Sequence, residues 1–194
     1  MRGIFTALAL GGSVLVAGCS GPSGSASTGA ASGKTATGGA FSLTDVDGRT
    51  VTDQTLKGKP FAIFFGFTRC PDVCPTTMSR MAQLHKLLGA DADKLNIVFV
   101  SVDPEHDKSE DIKSFLSMFP APVIGLTGTP DQLKRIETAY RVYVKREPLE
   151  GSDYTIDHTA AIYLIDRTGA FFEPMSSSEP VEANLEQLRK LIAI

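Results

Sequence analysis

Apolar positions between residues 41 and 194 fall into short alternating or continuous runs separated by helical stripes. Phe41-Ser42-Leu43 alternates, Asp47-Gly48 supplies a two-residue hairpin turn, and Arg49-Thr50-Val51 follows, so a hairpin is predicted at the start of this region. Pro60 precedes an uninterrupted apolar run over 61–67, which suits a strand buried on both faces. Met78, Met81, Leu84 and Leu88 then recur at helical spacing, and residues 97–102 read as a second buried strand. Ser109 is placed to cap a helix with Glu110 and Asp111 in its first turn and Ile112, Phe115, Leu116 and Phe119 on one face. A short strand over 123–126 leads to Thr129-Pro130-Asp131-Gln132, which combines an N-cap, a proline at the first helical position and a capping-box glutamine. Leu133, Ile136 and Tyr140 form that helix's apolar stripe. Residues 160–165, the turn 166–169 and residues 170–172 read as a hairpin, and Val181, Leu185, Leu188 and Ile192 mark a final helix. Strands alternating with helices predict an α/β fold around a largely parallel sheet. No internal repeat is present.

The first forty residues differ in kind. Two of the 19 bases, Arg2 and Lys34, and none of the 22 acids fall there. Residues 41–194 therefore hold 17 bases against 22 acids, a formal charge of −5, which excludes a polycationic nucleic-acid binder. Residues 1–18 read as a signal peptide, with a positive start at Arg2, an apolar or small-residue stretch over 4–16, and Val16-Ala17-Gly18 leading directly into Cys19. That ending resembles the bacterial lipobox, which implies lipidation of Cys19 and anchoring to the extracytoplasmic face of the bacterial cell envelope. An ordinary export signal or an uncleaved anchor is the alternative. Residues 20–40 consist of Gly, Ser, Ala and Thr apart from one Pro and one Lys, so residues 19–40 are expected to form a lipidated cysteine and a flexible linker. At ~5–6 Å × √n, such a linker spans about 25 Å. The folded domain is expected over 41–194.

The other two cysteines lie where the first buried strand runs into a helix, in Thr68-Arg69-Cys70-Pro71-Asp72-Val73-Cys74-Pro75. Pro75 fits the first helical position, which places Cys74 at or beside the N-cap and Cys70 in the loop before it. The helix dipole then favours thiolate, with Cys74 expected to be the more acidic thiol. Two thiolates four residues apart can close a disulfide or share a soft metal ion. A stable export disulfide is the plainer reading, but so short a loop restrains little chain entropy, and strand ends that open helices are where α/β sheets carry sites.

With Phe64-Phe65-Gly66-Phe67-Thr68-Arg69-Cys70-Pro71-Asp72-Val73-Cys74-Pro75, Ser101-Val102-Asp103-Pro104-Glu105-His106-Asp107 and Asp157-His158, residues 41–194 resemble the Sco/SenC family. The resemblance implies a thioredoxin-like fold, with a central mixed sheet flanked by helices and an N-terminal β-hairpin. It also implies copper, Cu(I) or Cu(II), held by Cys70, Cys74 and His158. The function implied is a metallochaperone serving the dinuclear copper centre of cytochrome c oxidase, whose copper-binding subunit would be the partner, with other copper donors or thiol reductants acting before it. A departure is His106, which stands where members typically have Arg, and which is read as a solvated loop difference.

Two thiolates and an imidazole form a soft, low-coordinate set suited to Cu(I), and imidazole also accommodates Cu(II). A closed structural zinc site needs a fourth ligand, and residues 41–194 hold no third cysteine. His85 falls eleven residues beyond Cys74, roughly 16 Å along a helix, and reads as a packing residue. Met78 and Met81 read as core, and His106 as a surface partner of nearby carboxylates. Asp103 ends the second strand on the same sheet edge as the cysteines, where it either orients a ligand or caps the Pro104 turn. The competing function is a thiol-disulfide oxidoreductase that uses the Cys70–Cys74 pair, as a disulfide when oxidised, to reduce the acceptor's cysteines. A thioredoxin-type reductase, however, uses CxxC and a proline where His158-Thr159 stands. A peroxiredoxin would need threonine where Phe67 stands, and a copper sensor stays open.

Overall fold

The computed structural model describes residues 37–194 apart from Ser152. The expected signal segment, Cys19 and nearly all of the expected linker lie outside these residues. Strands β1 (Ser42–Asp45) and β2 (Thr50–Thr52) form the N-terminal hairpin, followed by a single helical turn α1 (Asp53–Leu56) and β3 (Phe61–Gly66). Helix α2 (Val73–Leu88) closes with a 3-10 turn over Gly89–Lys94 and leads to β4 (Asn96–Ser101), α3 (Ser109–Ser117), β5 (Val123–Thr127) and α4 (Pro130–Tyr140). Strands β6 (Val144–Pro148), β7 (Tyr154–His158), β8 (Ile162–Ile165) and β9 (Phe171–Met175) precede the last helix α5 (Val181–Ala193).

Seven strands form one sheet in the order β2-β1-β5-β4-β3-β8-β9. Only β3 with β4 and β4 with β5 are parallel, while β1 pairs antiparallel with β2 and β5, and β8 with β3 and β9. The sheet is therefore mixed, not largely parallel. Helical crossovers build its three central strands, and the hairpins at the two ends of the domain add antiparallel strands at both edges. Every residue of β3 is buried, as the continuous apolar run requires of a strand with neighbours on both sides and cover on both faces.

The hairpin turn lies where the sequence predicts but is one residue longer than the two-residue turn expected: the Asp45 amide donates to the Arg49 carbonyl and the Gly48 amide to the Asp45 carbonyl, so Val46, Asp47 and Gly48 form a three-residue loop. Gly48 has φ 83°, and the Asp45 carboxylate accepts from the Asp47 and Arg49 amides at 2.9 and 2.8 Å. At α4 the Thr129 hydroxyl accepts from the Gln132 amide and the Gln132 side chain returns to the Thr129 amide. At α3 the expectation shifts by a residue. Lys108 holds the N-cap, and its amide donates to Asp111 at 2.9 Å, so an acid in the first turn caps in place of Ser109. The buried face of α5 is also rotated. Asn184, Leu188 and Leu191 are buried, whereas Val181, Leu185 and Ile192 are only partly so.

The ribbon β6–β7 was not visible in the hydrophobic pattern. Val144-Lys145-Arg146-Glu147-Pro148 is polar at most positions, and neither strand pairs with the seven-stranded sheet. It forms a separate two-stranded sheet with Val144 opposite His158 and Pro148 opposite Tyr154.

Candidate metal centre

Cysteine 70 lies in the loop after β3 and Cys74 in the first turn of α2. The helix opens at Val73 rather than at Pro75, so Cys74 is its second residue and Pro75 its third, still among the positions whose amides have no helical partner. This changes which sulfur the helix end serves. The free amide of Cys74 points at Cys70 Sγ, 3.4 Å away, while the Cys74 side chain turns inward and is fully buried. Cys70 remains partly exposed, and both residues are free thiols.

The acidity expected for Cys74 therefore belongs to Cys70. The Cys74 thiol beside it holds the Cys70 pKa below the ordinary thiol range, against the effect of burial, with His158 and the Asp72 and Cys74 amides adding to it. Cys74 is pushed up, first by Cys70 and then by burial.

His158, the last residue of β7, completes the group. The sulfur atoms of Cys70 and Cys74 and a ring nitrogen of His158 lie within 4.8 Å of one another. His158 Nδ1 is 3.1 Å from the Thr159 carbonyl, which can only accept, so Nδ1 carries the proton. Nε2 is then the ring nitrogen turned toward the sulfurs, 3.5 Å from Cys74 Sγ. The Phe64 and Phe67 rings stand edge-on to the imidazole, with centroids 5.9 and 5.8 Å away, and fix its plane. Gly66 makes room for the sulfur. A Cβ there would come within 2.7 Å of Cys74 Sγ.

Asp107 positions the cysteine loop. It is 1% exposed and accepts from the Thr68 amide at 2.9 Å, the Thr68 hydroxyl at 2.7 Å and the Ser101 hydroxyl at 2.6 Å. It thereby fastens the residues before Cys70 to the end of β4. From sequence Asp107 reads only as one of the surface carboxylates near His106; its bond to Thr68 spans 39 residues and becomes visible only in three dimensions.

A family model described as SCO1/SenC matches residues 29–193. The chain belongs to the SCO1/SenC family. It is 38% identical over 163 residues to the mitochondrial protein SCO2 of Saccharomyces cerevisiae, covering 82% of this chain and 54% of that one. Bradyrhizobium japonicum ScoI with copper bound superposes with a TM-score of 0.76 and 47% identity, over 80% of this chain and 99% of that one. BsSco, described as carrying a disulfide switch and as a member of the Sco family of cytochrome c oxidase assembly proteins, gives a TM-score of 0.67 and 25% identity over 82% and 95% of the two chains. This SCO1/SenC chain spans about half the length of the curated relatives it matches. Its mixed sheet flanked by helices is the thioredoxin-like fold of the Sco structures.

The other candidate residues of this SCO1/SenC domain sit apart from the three donors. Among the described residues no hydrogen bond joins Asp103 to Cys70, Cys74 or His158. Its fully buried carboxylate accepts from the Tyr154 hydroxyl at 2.5 Å and lies 3.0 Å from His106 Nδ1. The departure at His106 is more than a solvated loop difference. Its ring nitrogen also meets the Arg69 guanidinium at 2.9 Å, which stands 3.7 Å from Asp103 and so supplies a cation there from the cysteine loop. Met78 and Met81 are core residues at 1% exposure. His85 is partly buried on α2, with Nε2 lacking a hydrogen-bond partner among the described residues.

Proposed function

We propose that this chain is a copper chaperone of the cell envelope, holding copper through Cys70, Cys74 and His158 and delivering it to the dinuclear copper centre of cytochrome c oxidase. The observation that carries the reading is the convergence of two thiols and one imidazole lone pair within 4.8 Å at the mouth of a strand-helix junction. Two thiolates and an imidazole suit Cu(I), and the imidazole retains Cu(II). Three donors leave a coordination position open, and the partly exposed Cys70 is the sulfur through which an acceptor's ligand would enter. Copper-bound ScoI supports the ion, and the assembly role given for BsSco supports the acceptor.

Lipidation of Cys19 and a flexible tether over residues 20–40 would hold the domain on the outer face of the membrane, beside an acceptor domain that faces the same way. Two acyl chains give the anchoring that one chain does not.

Anaerobic titration of the reduced protein with Cu(I), followed by mixing with a copper-free acceptor domain, tests the reading. One copper should bind and then appear on the acceptor. Cys70→Ser and Cys74→Ser should each abolish tight binding. Full-affinity binding by the double serine variant would overturn the ligand assignment.

The asymmetry of the thiols favours one further reading, reduction of the acceptor's cysteines. The acidic, partly exposed Cys70 would attack an acceptor disulfide, and the buried Cys74 would then attack the mixed disulfide. The products are a Cys70–Cys74 disulfide and two acceptor thiols. Release of acceptor thiols by copper-free protein distinguishes this activity from metal transfer alone.

A further inference from the structure

His158 is mounted on an element that the main sheet does not hold. The ribbon β6–β7 makes no ladder with the seven-stranded sheet, so other contacts decide where it lies. Beside it lies a solvent-open pocket of about 190 Å³, lined by Val144 and Arg146 of the ribbon, Val102 and Pro104 beyond β4, and Pro130 and Leu133 of α4.

Polar contacts gather instead at Tyr154 and Asp153, where β7 begins. The Tyr154 hydroxyl donates to Asp103 Oδ1 at 2.5 Å and lies 3.3 Å from Glu105 Oε2. Arg146 covers the Tyr154 ring at 4.5 Å and pairs with Glu105 at 2.6 Å. Arg69, the residue immediately before Cys70, reaches the same place. Its Nη1 donates to both Asp153 carboxylate oxygens, at 3.1 and 3.0 Å, and its Nη2 to the Tyr154 carbonyl at 3.3 Å. The strand that ends in His158 is thus fastened at its start both to the end of β4 and to the cysteine loop.

We propose that Tyr154 and Arg69 form a latch that positions His158 against Cys70 and Cys74, so that the ribbon presents or withdraws the imidazole as a unit. The inference rests on these three residues being the copper ligands. Tyr154 is four residues before His158, roughly 13 Å along the strand, and ligand geometry must hold to about 0.5 Å. A tilt of the ribbon of about 2° is enough to lose that alignment, whereas neither cysteine is carried by the ribbon, Cys70 lying on the loop and Cys74 on α2. Asp103 is the anchor because it is fully buried and its carboxylate needs the tyrosine donor. Arg69 makes the connection specific to the loop that carries Cys70. Neither residue touches the metal position, and both act through His158.

The test compares Tyr154→Phe and Arg69→Gln with His158→Ala in the reduced protein, using Cu(I) and Cu(II) alone as probes. Each latch variant should lose about tenfold in Cu(II) affinity, the scale seen when a ligand's supporting partner is removed, and less than about threefold in Cu(I) affinity. In the His158→Ala background the same substitutions should cost nothing more, because there is no imidazole left to position. An additional loss in that background would show a general structural role and overturn the latch. So would wild-type Cu(II) binding by both latch variants while His158→Ala is weakened, a pattern that leaves the ligand reading intact. Wild-type Cu(II) binding by His158→Ala would instead overturn the ligand reading and the latch with it. Arg69 is exposed, so its variant reports even if Tyr154→Phe fails to fold. In the metal-free protein, amides of β6–β7 should exchange faster in both variants while those of β3 stay unchanged, and unchanged ribbon exchange would also count against the latch.

Discussion

Gly66 and Asp107 illustrate how single residues shape the cysteine loop without offering it a ligand. A Cβ at position 66 would meet Cys74 Sγ at 2.7 Å and the rings of Phe64 and Phe99 at 3.0 and 3.1 Å. None of these neighbours is the free end of a flexible chain, since all are packed in the core around β3. Gly66→Ala should therefore cost about 1–3 kcal/mol and displace the Cys74 sulfur. Urea unfolding combined with copper titration checks it, and unchanged stability with unchanged affinity would refute the close approach. Asp107→Ala strands the Thr68 amide and the Ser101 hydroxyl and should cost about 3 kcal/mol. Because Thr68 lies two residues before Cys70, copper affinity should fall as well. A variant that lost stability but bound copper normally would show that the loop holds its shape without this staple.

At the scale of elements, α4 carries a charge in an unfavourable place. Glu137 is 8% exposed, and burial raises its pKa despite Lys134 at 3.7 Å. A carboxyl whose pKa is raised by folding binds its proton more tightly in the folded state, so its ionised form destabilises the fold. That cost is complete above the folded pKa and disappears below the ordinary glutamate range. Glu137→Gln should therefore stabilise the domain at pH 7 and give no gain near pH 4. Thermal unfolding at the two pH values measures it, and an equal gain at both would exclude titration of Glu137 as the cause. The ribbon β6–β7 shows the other limit of reasoning from elements. Its polar, proline-containing first strand gives no period-2 apolar signal, because the ribbon packs on the body mainly through Ile156 and a network of charges.

For the whole molecule, the proposed copper transfer would need residues 70, 74 and 158 together at one end of the sheet and that end held near an acceptor. The second requirement concerns Cys19, at the head of the expected linker. Cys19→Ser should leave the precursor unlipidated and uncleaved after Gly18, with the folded domain unchanged. Membrane fractionation and intact mass of the processed chain test this, and normal processing with retained membrane binding would overturn the tether. Among the described residues no helix is long and apolar enough to cross a membrane.

The sequence by itself determined the strands and helices with strong apolar periodicity, because burial of β3 and β4 or of one face of α2 and α4 leaves no freedom in residue type. It also placed the turns at Asp47-Gly48 and 166–169, because glycine tolerates the positive φ found at Gly48 and Gly169, while the aspartate caps from Asp45 and Asp166 came into view only with the structure. Cys70 and Cys74 were legible as a pair from their spacing beside a strand end. Other features were settled only by tertiary structure. The antiparallel edges follow from where the terminal hairpins dock, which local pattern does not encode. The order of the thiol acidities follows from the contact between the two thiols, which lowers the pKa of Cys70 and raises that of Cys74, and from the burial of the Cys74 sulfur, with the Cys74 amide a smaller aid to Cys70. The grouping of Asp103, Tyr154 and Arg69 joins residues 51 and 85 positions apart through polar side chains. Such contacts depend on the folded arrangement of distant segments and leave no periodic trace along the chain.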